Sequence, residues 1–255
     1  MKTKFLLFTV LITVFFFGCK DNPETQELNH DEPSSELKSA IPINKAVANS
    51  ANPFDFLGEI HNMGLQELFN YTVATGDTTR RGKRQVLRRF FKERFEVTPK
   101  GKTNPELEKV ILKDYRLVHG SLKMSPLAHS FVENLNKCID DIKTLNEFKE
   151  FKRKFVDIEL KISRSSLSRF ERECLLKTAA IMRYSAYYWF NFANNNDKAV
   201  TMGLLRKIAG IITGIAADGT SALYYAFVSA TLFKMLENSI EMSEMCGFYT
   251  GGFSY

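Results

Sequence analysis

From Asn52 onward, apolar side chains recur in steps of three and four, the spacing of one helix face. Phe131, Leu135, Cys138, Ile142 and Leu145 step by 4, 3, 4 and 3, and Phe148, Phe151, Phe155, Ile158 and Ile162 by 3, 4, 3 and 4. Each set is one apolar stripe, and the break at Thr144 predicts an antiparallel hairpin. Strand-type alternation is scarce. Asn52-Pro53, Asn104-Pro105 and Ser125-Pro126 each put a capping side chain before a proline at the first helical position, where the missing N–H costs nothing. Thr144 with Glu147, and Ser168 with Glu171, have capping-box spacing. Helices are predicted near 53–71, 84–97, 105–117, 126–143, 145–163, 169–193, 198–216 and 219–241. The expected class is all-α, a single compact multi-helix bundle over 52–246 with a short tail at 247–255.

Two segments stand out within that pattern. Residues 174–193 are apolar on nearly every side, with Ile181, Tyr184, Tyr188, Trp189 and Phe190, so they are expected to form the most buried helix. Residues 208–233 hold no basic side chain and one acid, Asp218. Gly210, Gly214, Asp218, Ala222, Ala226 and Ala230 repeat there in steps of four, which lets neighbouring helices approach closely. The expected arrangement is a buried hairpin turning at Asp218-Gly219, with Gly210 and Gly214 against a neighbour. The alternative is an apolar hairpin inserted into a bilayer, a membrane-active protein. Asp218 near mid-depth would oppose insertion, and each half would be too short to span.

The amino-terminal residues follow another logic. Lys2 and Lys4 precede an uninterrupted run of 13 apolar or Thr residues, Phe5 to Phe17, and Gly18-Cys19 closes it. As a helix that run reaches about 20 Å, short of the roughly 30 Å hydrocarbon core, so it reads as a secretory segment. A small residue directly before Cys resembles a bacterial lipoprotein signal, residues 1–18. The resemblance implies acylation of Cys19, cleavage before it, and anchorage in a bacterial envelope membrane, the outer membrane by expectation. The box Phe16-Phe17-Gly18-Cys19 departs from the usual one at its first two positions. Residues 19–51 then read as lipidated Cys and flexible acidic tether, with Asp21, Glu24, Glu27, Asp31, Glu32 and Glu36 and no apolar period.

Asn52-Pro53-Phe54-Asp55-Phe56-Leu57-Gly58-Glu59-Ile60-His61-Asn62-Met63-Gly64-Leu65 resembles the opening of a group of uncharacterised Bacteroidota lipoproteins. Ser185 to Trp189 (Ser-Ala-Tyr-Tyr-Trp) and Asp218 to Ala222 resemble two later segments of that group. The resemblance implies an envelope location and a helical fold, and no activity.

Formal net charge is +6 over the whole chain. Removing Lys2 and Lys4 takes Lys+Arg from 35 to 33 against 29 acids, hence +4. With an export signal, that mild excess argues against nucleic acid as partner. Eight of the basic residues cluster at Arg80, Arg81, Lys83, Arg84, Arg88, Arg89, Lys92 and Arg94, with Val86, Leu87, Phe90, Phe91 and Phe95 among them. On a helix this gives an apolar stripe under a cationic face, suited to anionic lipid headgroups or acidic glycan. A solvated surface helix would look the same.

No motif of nucleophile, phosphate loop or metal-ligand spacing occurs. Glu59 and His61, two apart on a helix, point about 200° from one another. His61 shares a face with Leu57, Gly64, Leu65 and Leu68 and is expected in the core. His119 and His129 lack an acidic pair at ligand spacing, and Asp140-Asp141 reads as a solvated face. Cys138, Cys174 and Cys246 read as small buried residues, with one disulfide the alternative. No cofactor, metal or catalytic residue is assigned. The expected function is a non-enzymatic binding or interaction module, the alternatives being membrane insertion and an enzyme with an unrecognised site.

Overall fold

The caps and stripes settle where the chain turns. The computed structural model describes residues 41–101, 103–144, 147–195, 204–228 and 230–246. Among these the protein is all-α, with nine helices and no strand. They are α1 (Asp55–Thr75), α2 (Arg80–Phe95), α3 (Pro105–Asp114), α4 (Arg116–Ser121), α5 (Pro126–Asp140), α6 (Phe148–Arg164), α7 (Arg169–Asn195), α8 (Leu204–Phe227) and α9 (Leu232–Glu244). Asn104 accepts from the Glu106 and Leu107 N–H groups, and Ser125 from that of Ala128, so two of the three proline-headed starts are found, whereas α1 begins at Asp55, past Pro53, with no side-chain cap. Ser168 accepts from Glu171 N–H at 3.2 Å, and the Glu171 carboxylate accepts from Ser125 N–H at 2.7 Å. The box at the head of α7 therefore also pins the head of α5. The box expected at Thr144 instead folds back: Glu147 accepts from the Lys143 and Thr144 N–H groups, and α6 begins at Phe148. Gly76 ends α1 at φ 68°, a conformation glycine adopts without penalty.

Helix α7 is the hub, packed on α1, α5, α6 and α8. Cys174 to Ala186 are buried without interruption, as are Trp189 and Phe190. Helix α9 lies across α8, α1 and α2. All thirteen of its residues are buried, so α9, and not the stretch 174–193, is the most completely enclosed helix. The reason is electrostatic: its carboxylates are taken up by basic residues of α2, which lets a polar helix sit inside.

The turn expected at Asp218-Gly219 does not exist. Helix α8 runs straight through it to Phe227, and Thr231 caps the start of α9. Asp218 favours turns when its side chain is free to bond the nearby backbone. Here that side chain is held by neighbouring helices, so the helix continues.

Residues 41–51, expected within the tether, pack on the bundle. Ile41, Val47, Asn49 and Asn52 are buried. The fully buried Arg183 of α7 holds them, donating to the Val47 carbonyl, to Asp55, and to Glu159 of α6. The Asn49 and Asn52 amides donate to the same Glu159 carboxylate, and Asn49 N–H donates to Asp55 at 3.1 Å. Asn52 thus serves the core as well as the entry to α1. The signal segment, the rest of the tether and the tail 247–255 lie outside the described residues.

Candidate functional site

The segments Gly58–Gly64 of α1, Ser185–Trp189 of α7 and Asp218–Ala222 of α8 meet at one junction. A Cβ at Gly58 would overlap the Tyr184 ring, and one at Gly214 the Trp189 ring, so glycine lets these helices touch. Inside the junction, His61 Nε2 lies 3.3 Å from Asp218 Oδ1, both side chains fully buried. Ser185 and Ser243 donate to Asp218 Oδ2, the latter at 2.7 Å. Trp189 Nε1–H donates to Ser243 Oγ at 3.0 Å, and Ser239 donates to the Asp218 carbonyl. Burial pushes the Asp218 carboxyl above the usual range, against the pull of His61 and the two hydroxyls.

The outer edge fixes the imidazole. The Asn62 amide N–H donates to the Tyr184 carbonyl at 2.8 Å, which turns Asn62 Oδ1 toward His61 Nδ1 at 3.2 Å. Nδ1 is thereby the donor of that contact, and Nε2 is the nitrogen turned toward Asp218. A Ser–His–Asp relay needs the hydroxyl on the imidazole. Here the hydroxyls sit on the carboxylate, sealed from water, and the network holds four helices, α1, α7, α8 and α9, in register.

Asn62 also faces outward, into an open pocket of about 350 Å3 between α1 and α7. Glu59, Met63 and Gln66 line it from α1, Tyr187, Tyr188, Asn191 and Phe192 from α7, and Asn44 from the packed stretch 41–51, a strap across the bundle. Glu59 accepts from Asn44 N–H at 3.1 Å, and burial raises its carboxyl. Tyr188 and Phe192 lie stacked, centroids 6.2 Å apart and planes 18° apart.

A second cleft, about 430 Å3, lies between α4 and α5 and includes Arg116, His119, His129, Asn136 and Asp140. Both nitrogens of His119 are engaged, with Asn136 at 3.1 Å and Thr220 at 3.1 Å. Burial pushes its imidazole down to about 4. Arg116 grips Asp140 at 3.0 and 2.9 Å.

The basic helix divides in two. Lys83 is buried and pairs with Glu244 at 2.7 Å; Arg84 grips Glu241 at 2.6 and 3.1 Å; Arg88 lies 3.6 Å from Glu237. Arg80 reaches Glu108 of α3. These side chains serve contacts between helices, and Lys83 is no part of a solvent-facing patch, contrary to the sequence expectation. Arg81, Arg89, Lys92 and Arg94 remain exposed. Cys138 is half-buried, Cys174 and Cys246 are buried, and all three are free thiols. Cys19 lies outside the described residues.

Among the described residues no helix is long and apolar enough to cross a membrane. No family model, curated protein or solved structure matches the chain. His61 was legible as a core residue, but its partner was not. The available signal was Asp218 itself, a lone acid in a long apolar run that needs a buried partner if that run is core.

Proposed function

We propose that this protein is a lipid-anchored bacterial envelope protein whose helical domain acts as a binding module and not as an enzyme. The observation that carries the anchor is the Gly18-Cys19 junction at the end of a 13-residue apolar run, followed at once by charge and an acidic stretch. Multiple acyl chains on Cys19 would hold the domain stably at a membrane, as one chain could not.

A binding role is supported by the separation of the two polar features. His61, Asp218 and the two serines, which together could move protons, are sealed in the interior. The open pocket between α1 and α7 presents amides, one carboxylate and aromatic rings. Such a set orients a ligand through hydrogen bonds and covers its apolar face. Arg81, Arg89, Lys92 and Arg94 give a second contact, with anionic lipid headgroups or acidic glycan. Residues 208–233 are read as core, because Asp218 and Gly214 make their contacts inside the bundle.

The test is metabolic labelling with radioactive palmitate. The wild-type chain should take up label and fractionate with membranes. Cys19→Ser should do neither. Label retained in Cys19→Ser would overturn the anchor.

A further inference from the structure

We infer that the pocket between α1 and α7 binds a neutral saccharide of one or two sugar rings. The inference rests on the binding-module reading and names its ligand class. Glu59 Oε1, Asn44 Nδ2, the Asn191 side-chain amide and the Gln66 carbonyl have no hydrogen-bond partner among the described residues, and all four residues line the pocket. They supply donors and acceptors side by side, as a ring carrying several adjacent hydroxyls requires. A carboxylate can accept from two neighbouring hydroxyls at once, and bonds to a charged acceptor are the stronger ones.

The opposite wall supplies the apolar half. Tyr187 and Tyr188 are partly buried there, and Tyr188 stacks on Phe192, which lines the same wall. Aromatic faces cover the C–H face of a sugar ring, while a Tyr hydroxyl stays available to polar groups. No basic residue lines the pocket, so an anionic ligand finds no counter-charge. A compact organic cation would be drawn to Glu59 and the rings. It would leave the free N–H donors of Asn44 and Asn191 without acceptors, which favours the hydroxyl-rich ligand. A volume of about 350 Å3 lies near the lower end for ligand pockets and suits one or two rings. The pocket is preformed: Asn62 on its floor is bonded into the His61–Asp218 network.

The test is calorimetric titration of the full-length chain, held in a polyoxyethylene detergent free of sugar headgroups. The probes are glucose, galactose, mannose, N-acetylglucosamine and their homodisaccharides, with choline chloride as the cationic rival. At least one sugar should bind. Asn191→Ala and Glu59→Gln should each weaken it about tenfold with the helical circular dichroism and melting temperature unchanged. Asn191 has no bond to lose in the fold, so its variant separates loss of binding from loss of structure. Binding of choline alone, binding of no sugar, or sugar binding unchanged in both variants would overturn the inference. Palmitate labelling of Cys19 is read separately, so failure here leaves the anchor standing.

Discussion

Trp189 shows how much of this core one side chain carries. It is fully buried, its indole N–H is bonded to Ser243, and its ring fills the space that Gly214 leaves open. Trp189→Ala should destabilise the fold by about 3–5 kcal/mol through lost contacts and a residual cavity, measured by urea denaturation. A cost below about 1 kcal/mol would mean that the site collapses or is not core. His119 makes a different prediction. Its imidazole is held down to about 4, whereas the unfolded value is about 6.5. Between those values the unfolded chain binds a proton that the folded chain refuses. Stability from this group is therefore full above about pH 6.5 and is lost as pH falls toward 4, by up to about 3 kcal/mol. The difference in stability between wild type and His119→Gln should shrink over that window. A difference independent of pH would contradict it.

At the scale of elements, the pairing of α2 with α9 explains how a helix carrying three Glu and one Lys is enclosed. Glu237, Glu241 and Glu244 of α9 meet Arg88, Arg84 and Lys83 of α2. Burial, and to a smaller degree the neighbouring carboxylates, raise the Glu241 and Glu244 carboxyls, and the α2 cations oppose that rise. A double-mutant cycle on Arg84→Gln and Glu241→Gln should give a coupling of about 1–2 kcal/mol. Replacing the exposed Arg81 and Arg89 by Gln should leave stability within about 0.5 kcal/mol. It should also remove salt-sensitive binding to anionic vesicles, since exposed charges are screened over roughly 8–10 Å at physiological salt. Vesicle binding unchanged in that double variant would assign those arginines to solvent alone.

Which elements were legible in the sequence follows from the same physics. The starts at Pro105, Pro126 and Arg169 depend on side chains within three residues of the helix end, and sequence gives them. The stripe Phe151, Phe155, Ile158 and Ile162 is buried as its period implies. The continuity of α8 depends on Ser185, Ser243 and His61, which approach Asp218 from other helices, and no local rule contains them. The division of the basic helix likewise depends on carboxylates some 150 residues away. The pocket was missed because its lining comes from α1, α7 and a strap read as tether. Only the clustering of Glu59, Asn62 and Gln66 hinted at a polar side on α1.

For the whole molecule, Arg183 joins three parts that the sequence keeps far apart. It binds the strap at Val47, the head of α1 at Asp55 and α6 at Glu159, all out of water. Arg183→Met would leave two buried carboxylates without their cation, and should cost about 3–5 kcal/mol. It should also open residues 41–54 to limited proteolysis before the helices yield. Simultaneous cleavage throughout the domain would show that the strap is no separable clamp. Joined to Cys19 by the residues before it, that strap would carry any pull from the membrane directly into the hub helix.

The central claim, a folded helical module held at a membrane by its own acylated cysteine, is tested most directly at the mature N-terminus. Mass spectrometry of the N-terminal peptide from the membrane fraction should find Cys19 as the first residue, its sulfur carrying a diacylglycerol. A peptide that still spans Gly18-Cys19, or one that begins at an unmodified Cys19, would contradict the account.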